Sequence, residues 1–128
     1  MAKAIAEGIK EEKVDVKIKR CDYATVEDAI EPDGIAFGSP TYFGYMAGVL
    51  KDFFDRSLEF RKRISGKKAV AFASAGSNGE GCLESIENMI NAFGMERVRE
   101  GVISTGIPGD KELDACRDLG RALAKSMK

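Results

Sequence analysis

Ile35-Ala36-Phe37-Gly38-Ser39-Pro40-Thr41-Tyr42-Phe43-Gly44-Tyr45-Met46 is the stretch that decides the fold of this chain. Ile35 to Phe37 read as a short buried strand, and from Met46 onward an amphipathic helical pattern begins. Gly38 to Tyr45 therefore read as the loop at the carboxyl end of a strand, where open α/β sheets bind ligands. Its composition is unusual for a plain turn. Pro40 fixes the chain, Gly38 and Gly44 permit close backbone approach, Thr41 offers a hydroxyl, and Tyr42, Phe43 and Tyr45 cluster beside them. A flat, partly polar ring system suits such a loop. Aromatics that pack on a core would use the same residue types, so the loop alone leaves both readings open.

Outward from that loop, two periodicities alternate. Met1, Ala4, Ile5 and Ile9 recur at helical spacing, so the chain starts within or at the head of a helix. Val14, Val16 and Ile18 alternate with Asp15, Lys17 and Lys19, the pattern of a strand with one polar face. Val26, Ala29 and Ile30 suggest a short helix closed by Pro32 and Gly34. On the other side, Met46, Val49, Leu50, Phe53, Phe54 and Leu58 keep a helical beat, and Asp55-Arg56 reads as a surface pair. Ala69 to Ala73 is a continuous apolar run, as expected of a parallel strand covered on both faces. Ser74-Ala75-Gly76-Ser77-Asn78-Gly79-Glu80-Gly81 follows as a second glycine-rich loop, and Leu83 to Phe93 as a helix. Val98 and Val102-Ile103 mark a last strand, Gly106-Ile107-Pro108-Gly109 a plain turn, and Leu113 to Met127 the last helix. Strands separated by helices predict an α/β fold with an open parallel sheet, helices on both faces, and one domain over residues 1–128. The two irregular loops leave successive strands at one sheet edge, so both should line one crevice.

Composition excludes several functions. The chain has 128 residues, 44% hydrophobic and 32% charged, which is a folded protein with a real core. A formal net charge of −1, with Lys and Arg interleaved among Asp and Glu, argues against nucleic acid or an anionic membrane as partner. With no histidine, Ser-His-Asp and Cys-His catalysis are ruled out. Cys21, Cys82 and Cys116 are far apart and odd in number, so no disulfide framework or zinc site is indicated, and free thiols in a reducing cytoplasm are expected. No Walker motif or GxGxxG fingerprint occurs.

Gly38-Ser39-Pro40-Thr41-Tyr42-Phe43-Gly44, followed by Leu50-Lys51-Asp52-Phe53-Phe54-Asp55-Arg56, resembles the flavodoxin-like FMN proteins. Within them the pattern is similar to the NAD(P)H:quinone oxidoreductases of the tryptophan-repressor-binding-protein type, and the likeness runs over essentially the whole chain. The resemblance implies FMN as cofactor. It places Ser39, Pro40, Thr41, Tyr42, Phe43 and Gly44 on one side of the isoalloxazine ring, and Ser74, Ala75, Gly76, Ser77, Asn78 and Gly79 on the other side and along the ribityl chain. Implied partners are NAD(P)H and a quinone-like acceptor, in a homo-oligomer.

The chain also departs from that family. Relatives begin with a strand and a hydroxyl-rich loop that grips the FMN phosphate; here Met1 falls where they have the middle of the first helix. The expectation is a truncated flavodoxin-like domain whose first, central strand is missing between Val14–Ile18 and Ile35–Phe37, with the natural chain longer than the one given. Three functions compete on this sequence: an FMN-dependent NAD(P)H:quinone oxidoreductase, a one-electron carrier of the flavodoxin type, and a module that no longer holds flavin tightly.

Overall fold

The computed structural model describes residues 1–128. Helix α1 (Ala2–Glu11) leads through an extended segment to α2 (Glu27–Ile30), β1 (Gly34–Tyr42) and the short β2 (Tyr45–Met46). Helix α3 (Gly48–Ser57) follows, then a 3-10 turn (Leu58–Phe60), α4 (Arg61–Ile64), β3 (Lys68–Ala75), α5 (Glu80–Ala92), β4 (Glu96–Arg97), β5 (Val102–Thr105) and α6 (Asp110–Ser126). The sheet runs β2-β1-β3-β4, with β5 also on β3; all pairings are parallel except the β1–β2 hairpin. Strands β4 and β5 lie on the same edge of β3, at its start and its end. They form one path that Val98–Gly101 interrupts, which is why Val98 and Val102-Ile103 read as a single strand in sequence.

Alternate side chains of β3 sort the core into two layers. Ala69, Ala71 and Ala73 join Phe37 beneath α3 and α5, where Phe54 packs between Phe37 and Phe93 at ring-centroid distances of 4.9 and 5.6 Å. Val70 and Phe72 point the other way, to α1 and α6. The continuous apolar run of β3 is thus a strand covered on both faces. Helices α1 and α6 meet backbone to backbone: a Cβ on Gly8 would lie 2.0 Å from Arg117 O, and one on Gly120 2.1 Å from Ile5 O. Ion pairs Arg117–Glu7, Arg121–Glu11 and Lys128–Glu12 bridge elements along the exposed rim of this contact, each adding little on its own.

Three expectations need correction. Val14–Ile18 is not a strand; the segment is extended but makes no ladder, because no strand lies beside it. Val14 and Val16 pack instead on the α1/α6 layer. Second, β1 runs on to Tyr42, so Gly38–Tyr42 is strand rather than loop, and Met46 belongs to β2 rather than to the helix. The hairpin captures residues whose apolar and polar types carry no helical or strand period. Third, Arg56 pairs with Asp52 and Lys51 with Asp55, each one helical turn apart, so Asp55 and Arg56 are not partners.

The missing neighbour leaves a groove of about 1760 Å³ between β1 and the Val14–Asp22 segment, floored by Ile5, Ile9, Leu123 and Met127 and roofed by Leu50 and Phe53. Lys68 N–H donates to Asp33 O at 3.3 Å, which sets the phase of the β1–β3 ladder. Ile35, Phe37 and Ser39 therefore direct their backbone groups toward β3, while those of Gly34, Ala36 and Gly38 face the groove. Such an edge is a template for pairing with another chain. The isolated polypeptide is expected to self-associate, and a strictly monomeric sedimentation profile at high protein concentration would count against this.

Candidate functional site

The strand ends that carry the site are held in register by β1 and β3. Their pairing runs from Gly34↔Lys68 to Pro40↔Ser74, and past its end the Thr41 hydroxyl donates to Ser74 O at 2.8 Å. Tyr42 then enters a two-residue turn at Phe43 (φ 52°) and Gly44 (φ 72°), after which Tyr45 pairs back with Tyr42. Two consecutive positive φ values between directly paired residues are the signature of a type I′ hairpin. Gly44 suits its position. Phe43 does not, since a side chain in the left-handed region costs about 1–2 kcal/mol, and its ring is fully exposed.

Ser39, Pro40, Thr41, Tyr42, Ser74, Ala75 and Gly76 line the upper end of the groove together, as the sequence led us to expect of two adjacent loops. Phe43, Gly44, Ser77, Asn78 and Gly79 do not line it. Asn78 Oδ1 accepts the Glu80 N–H at 3.0 Å and so starts α5. Gly79 abuts Ile103, and a Cβ there would come within 2.8 Å of its Cγ2. Ser39 is nearly buried, with its hydroxyl already committed: it accepts the Ala47 N–H at 2.7 Å and donates to Pro40 O at 2.7 Å. It supports the loop from below.

A third loop was missed. Gly106, Ile107 and Pro108 line the same groove, with Ile107 94% exposed. Read as a plain turn, this segment in fact leaves β5 at the same sheet end as the other two loops, a position its glycine and proline content alone did not reveal. The outer wall is tied down by Lys19 Nζ to Asp28 Oδ1 at 2.8 Å and by Arg56 to Cys21 O and Ala24 O. Lys19, then the Thr25 N–H, hold the Asp28 carboxyl below its usual range. Burial pushes the Cys21 thiol up, so the cysteine on this wall stays protonated and is a poor nucleophile.

Three loops converging on an apolar crevice at the carboxyl ends of parallel strands define a protein that binds a nucleotide-like or flavin-like ligand at its strand ends. The family model for NADPH-dependent FMN reductase matches residues 22–107. A flavodoxin of Aquifex aeolicus is 36% identical over 98% of this chain and 77% of its own length. An NAD(P)H dehydrogenase (quinone) of Archaeoglobus fulgidus is 29% identical over 98% of this chain and 88% of its own. A solved flavodoxin from the domain Archaea superposes with a TM-score of 0.86 at 29% identity, covering 98% of this chain and 87% of that one. The chain belongs to the flavodoxin-like NADPH-dependent FMN reductase family, and its cofactor is FMN.

The donor set fits one part of FMN better than the other. At the strand ends, flat apolar walls from Tyr42 and Ile107 stand beside backbone groups of Thr41, Ala75 and Gly76, which suits a planar heteroaromatic with polar edges. The head of α1, by contrast, has no side-chain cap. A phosphate there would meet free helix N–H groups and no hydroxyl or amide cradle.

Because the Phe43 ring is exposed while its backbone is strained, Phe43→Asn should stabilise the apoprotein by roughly 0.5–1 kcal/mol, Asn-Gly being the preferred type I′ pair. Urea unfolding measures this, and a destabilised variant would show that the ring makes packing contacts of its own.

Proposed function

We propose that this chain passes electrons from NAD(P)H to quinones or similar flat acceptors, using FMN held at the ends of β1, β3 and β5. The observation that carries the proposal is the apolar rim at those strand ends. Tyr42, Phe43, Tyr45, Val49 and Ile107 are large, exposed hydrophobic residues, and all lie at or beside the carboxyl end of the sheet. Side chains so displayed lose hydration when a planar apolar molecule stacks on them, which favours quinone-like acceptors over small polar ones. Bound FMN supplies the hydride acceptance and donation itself. The chain's part is to bind and orient. Thr41, Tyr42 and Phe43 face one side of the ring, Ser74, Ala75 and Gly76 meet the other, and Ser77, Asn78 and Gly79 follow the ribityl chain. Ser39, Pro40 and Gly44 hold the first of these segments in shape. The match to the FMN reductase family and to an NAD(P)H dehydrogenase (quinone) supports the enzyme reading.

One observation favours a second reading. The relative with 36% identity is a flavodoxin, so a one-electron carrier of this fold is the alternative. A cytoplasmic setting and a homo-oligomer fit both.

The protein reconstituted with FMN should oxidise NADH or NADPH when a benzoquinone is supplied, at a rate well above that of free FMN under the same conditions. A flavin that stays oxidised with either nicotinamide but accepts electrons from dithionite would make the chain a carrier instead. FMN and riboflavin are expected to bind within about tenfold, or 1.4 kcal/mol, of each other, because α1 offers the phosphate no side-chain cradle. A much stronger preference for FMN, measured by fluorescence quenching, would mean that an anion site exists elsewhere.

A further inference from the structure

The hairpin that carries Tyr42 to Tyr45 is too small to hold itself. Strand β2 has two residues, and its register with β1 comprises Thr41↔Met46 and Tyr42↔Tyr45. A two-residue hairpin strand is marginal without outside support. In a type I′ hairpin the pair beside the turn exchanges the hydrogen bonds, so the Met46 N–H points away from β1.

Helix α5 receives it. Met46 N–H donates to Ser85 Oγ at 3.1 Å, and the same hydroxyl donates to Cys82 O at 2.7 Å. The next amide, Ala47 N–H, goes to Ser39 Oγ at 2.7 Å. Two successive amides are thus taken by two hydroxyls from different elements, and Ser39 and Ser85 are each only 6% exposed. A hydroxyl has one proton to donate, and here both protons are already spent on carbonyls, so each oxygen is oriented to accept. One turn earlier, a Cβ on Gly81 would lie 2.4 Å from Gly44 O, so α5 also touches the turn directly. The Cys82 thiol closes the contact, with Sγ 3.5 Å from Pro40 O.

We propose that Ser85 is a positioning residue of the flavin site: acting from α5 through the Met46 amide, it fixes the Tyr42–Tyr45 turn and so sets how tightly the chain holds the isoalloxazine ring. This rests on FMN lying at the strand ends, but not on NAD(P)H or quinone as the redox partners. If Ser85 is removed, a buried N–H loses its acceptor while the turn keeps only its two β1 pairs. The turn should then sample other conformations that do not complement a ring.

The experiment compares Ser85→Ala, Gly81→Ala and Ser57→Ala with the parent chain. Gly81→Ala drives a methyl group against Gly44 O and disturbs the turn without touching the hydrogen bond. Ser57 is the control, a buried hydroxyl on α3 with no hydrogen-bond partner. Two readouts are taken: the FMN dissociation constant by fluorescence quenching, and amide hydrogen exchange of the apoproteins. Ser85→Ala should weaken FMN about tenfold, equivalent to 1.4 kcal/mol. It should also speed exchange at Met46, while the amides of Val70 and Ala71 in central β3 keep their protection. Gly81→Ala should weaken FMN similarly, and Ser57→Ala should alter neither readout. Parental FMN affinity in either Ser85→Ala or Gly81→Ala overturns the proposal, as does an equal loss in Ser57→Ala. Should the parent bind no FMN, the proposal falls with the site itself. Faster Met46 exchange in Ser85→Ala would then mark a purely structural staple. Inactivity with NAD(P)H and quinone, with the FMN results as expected, would sink only the redox assignment.

Discussion

The parallel register of β1 on β3 is the constraint from which the rest of the molecule follows. Seven residue pairs, Gly34↔Lys68 through Pro40↔Ser74, bring two chain exits to the same height at the same end of the sheet. Nothing in the loops themselves is needed to make them meet. Glycine and small polar residues then let the backbones converge, and the Thr41 hydroxyl on Ser74 O joins the two segments past the last pair. Because β5 occupies the upper part of the far edge of β3, its exit through Gly106–Pro108 is delivered to the same rim. The crevice is a consequence of parallel strands ending together, the general reason that sheets of this class bind ligands there.

The other edge of β1 shows the converse. A strand is a relation between two chains, and alternation of apolar and polar residues supplies only half of it. Val14, Val16 and Ile18 have the period of a strand, and Lys19 and Arg56 anchor their segment to the body of the protein through Asp28 and Cys21 O. Without an adjacent ladder the segment remains merely extended, and the backbone groups of Gly34, Ala36 and Gly38 look into a groove. Unpaired amides in an apolar slot leave desolvation uncompensated. The groove along β1 and the crevice above it are continuous, so whatever fills the lower part also forms the floor beneath a bound ring.

How much of this was legible in the sequence depended on whether a residue's role is local or relational. The buried strand at Ala69–Ala73, the amphipathic helices and the two adjoining loops announce themselves through period and composition, and the resemblance at Gly38–Gly44 supplied the cofactor. What the sequence hid are contacts made by small residues. Ser85 sits on an amphipathic helix where a serine is unremarkable, and only the direction of the Met46 amide gives its hydroxyl a task. Gly8 and Gly120 are helical glycines that propensity would count as defects, yet each allows the backbone of the other helix to approach. Phe43 was read as one of three aromatics in a loop. Its positive φ depends on the hairpin closing behind it, which no window of sequence around Pro40 reveals. Ile107 was overlooked because a glycine-proline turn looks alike whether or not it borders a crevice.

These small-residue contacts also explain why the site tolerates strain. Phe43 holds a costly backbone conformation with its ring in solvent, so nothing in the local packing compensates for it. Compensation comes from α5, whose Gly81, Cys82 and Ser85 meet the hairpin on one helical face, three positions spanning little more than a turn. The same helix begins at Asn78 and Gly79, the end of the second loop. A displacement of α5 would therefore move both segments that flank the ring at once. The site is better regarded as one rigid unit, hairpin on helix on loop, than as two loops that happen to be near each other. In such a unit, strain at an exposed aromatic is the cost of presenting that side chain to a ligand, and a buried serine remote from the ring is as much a part of the binding site as the residues that touch it.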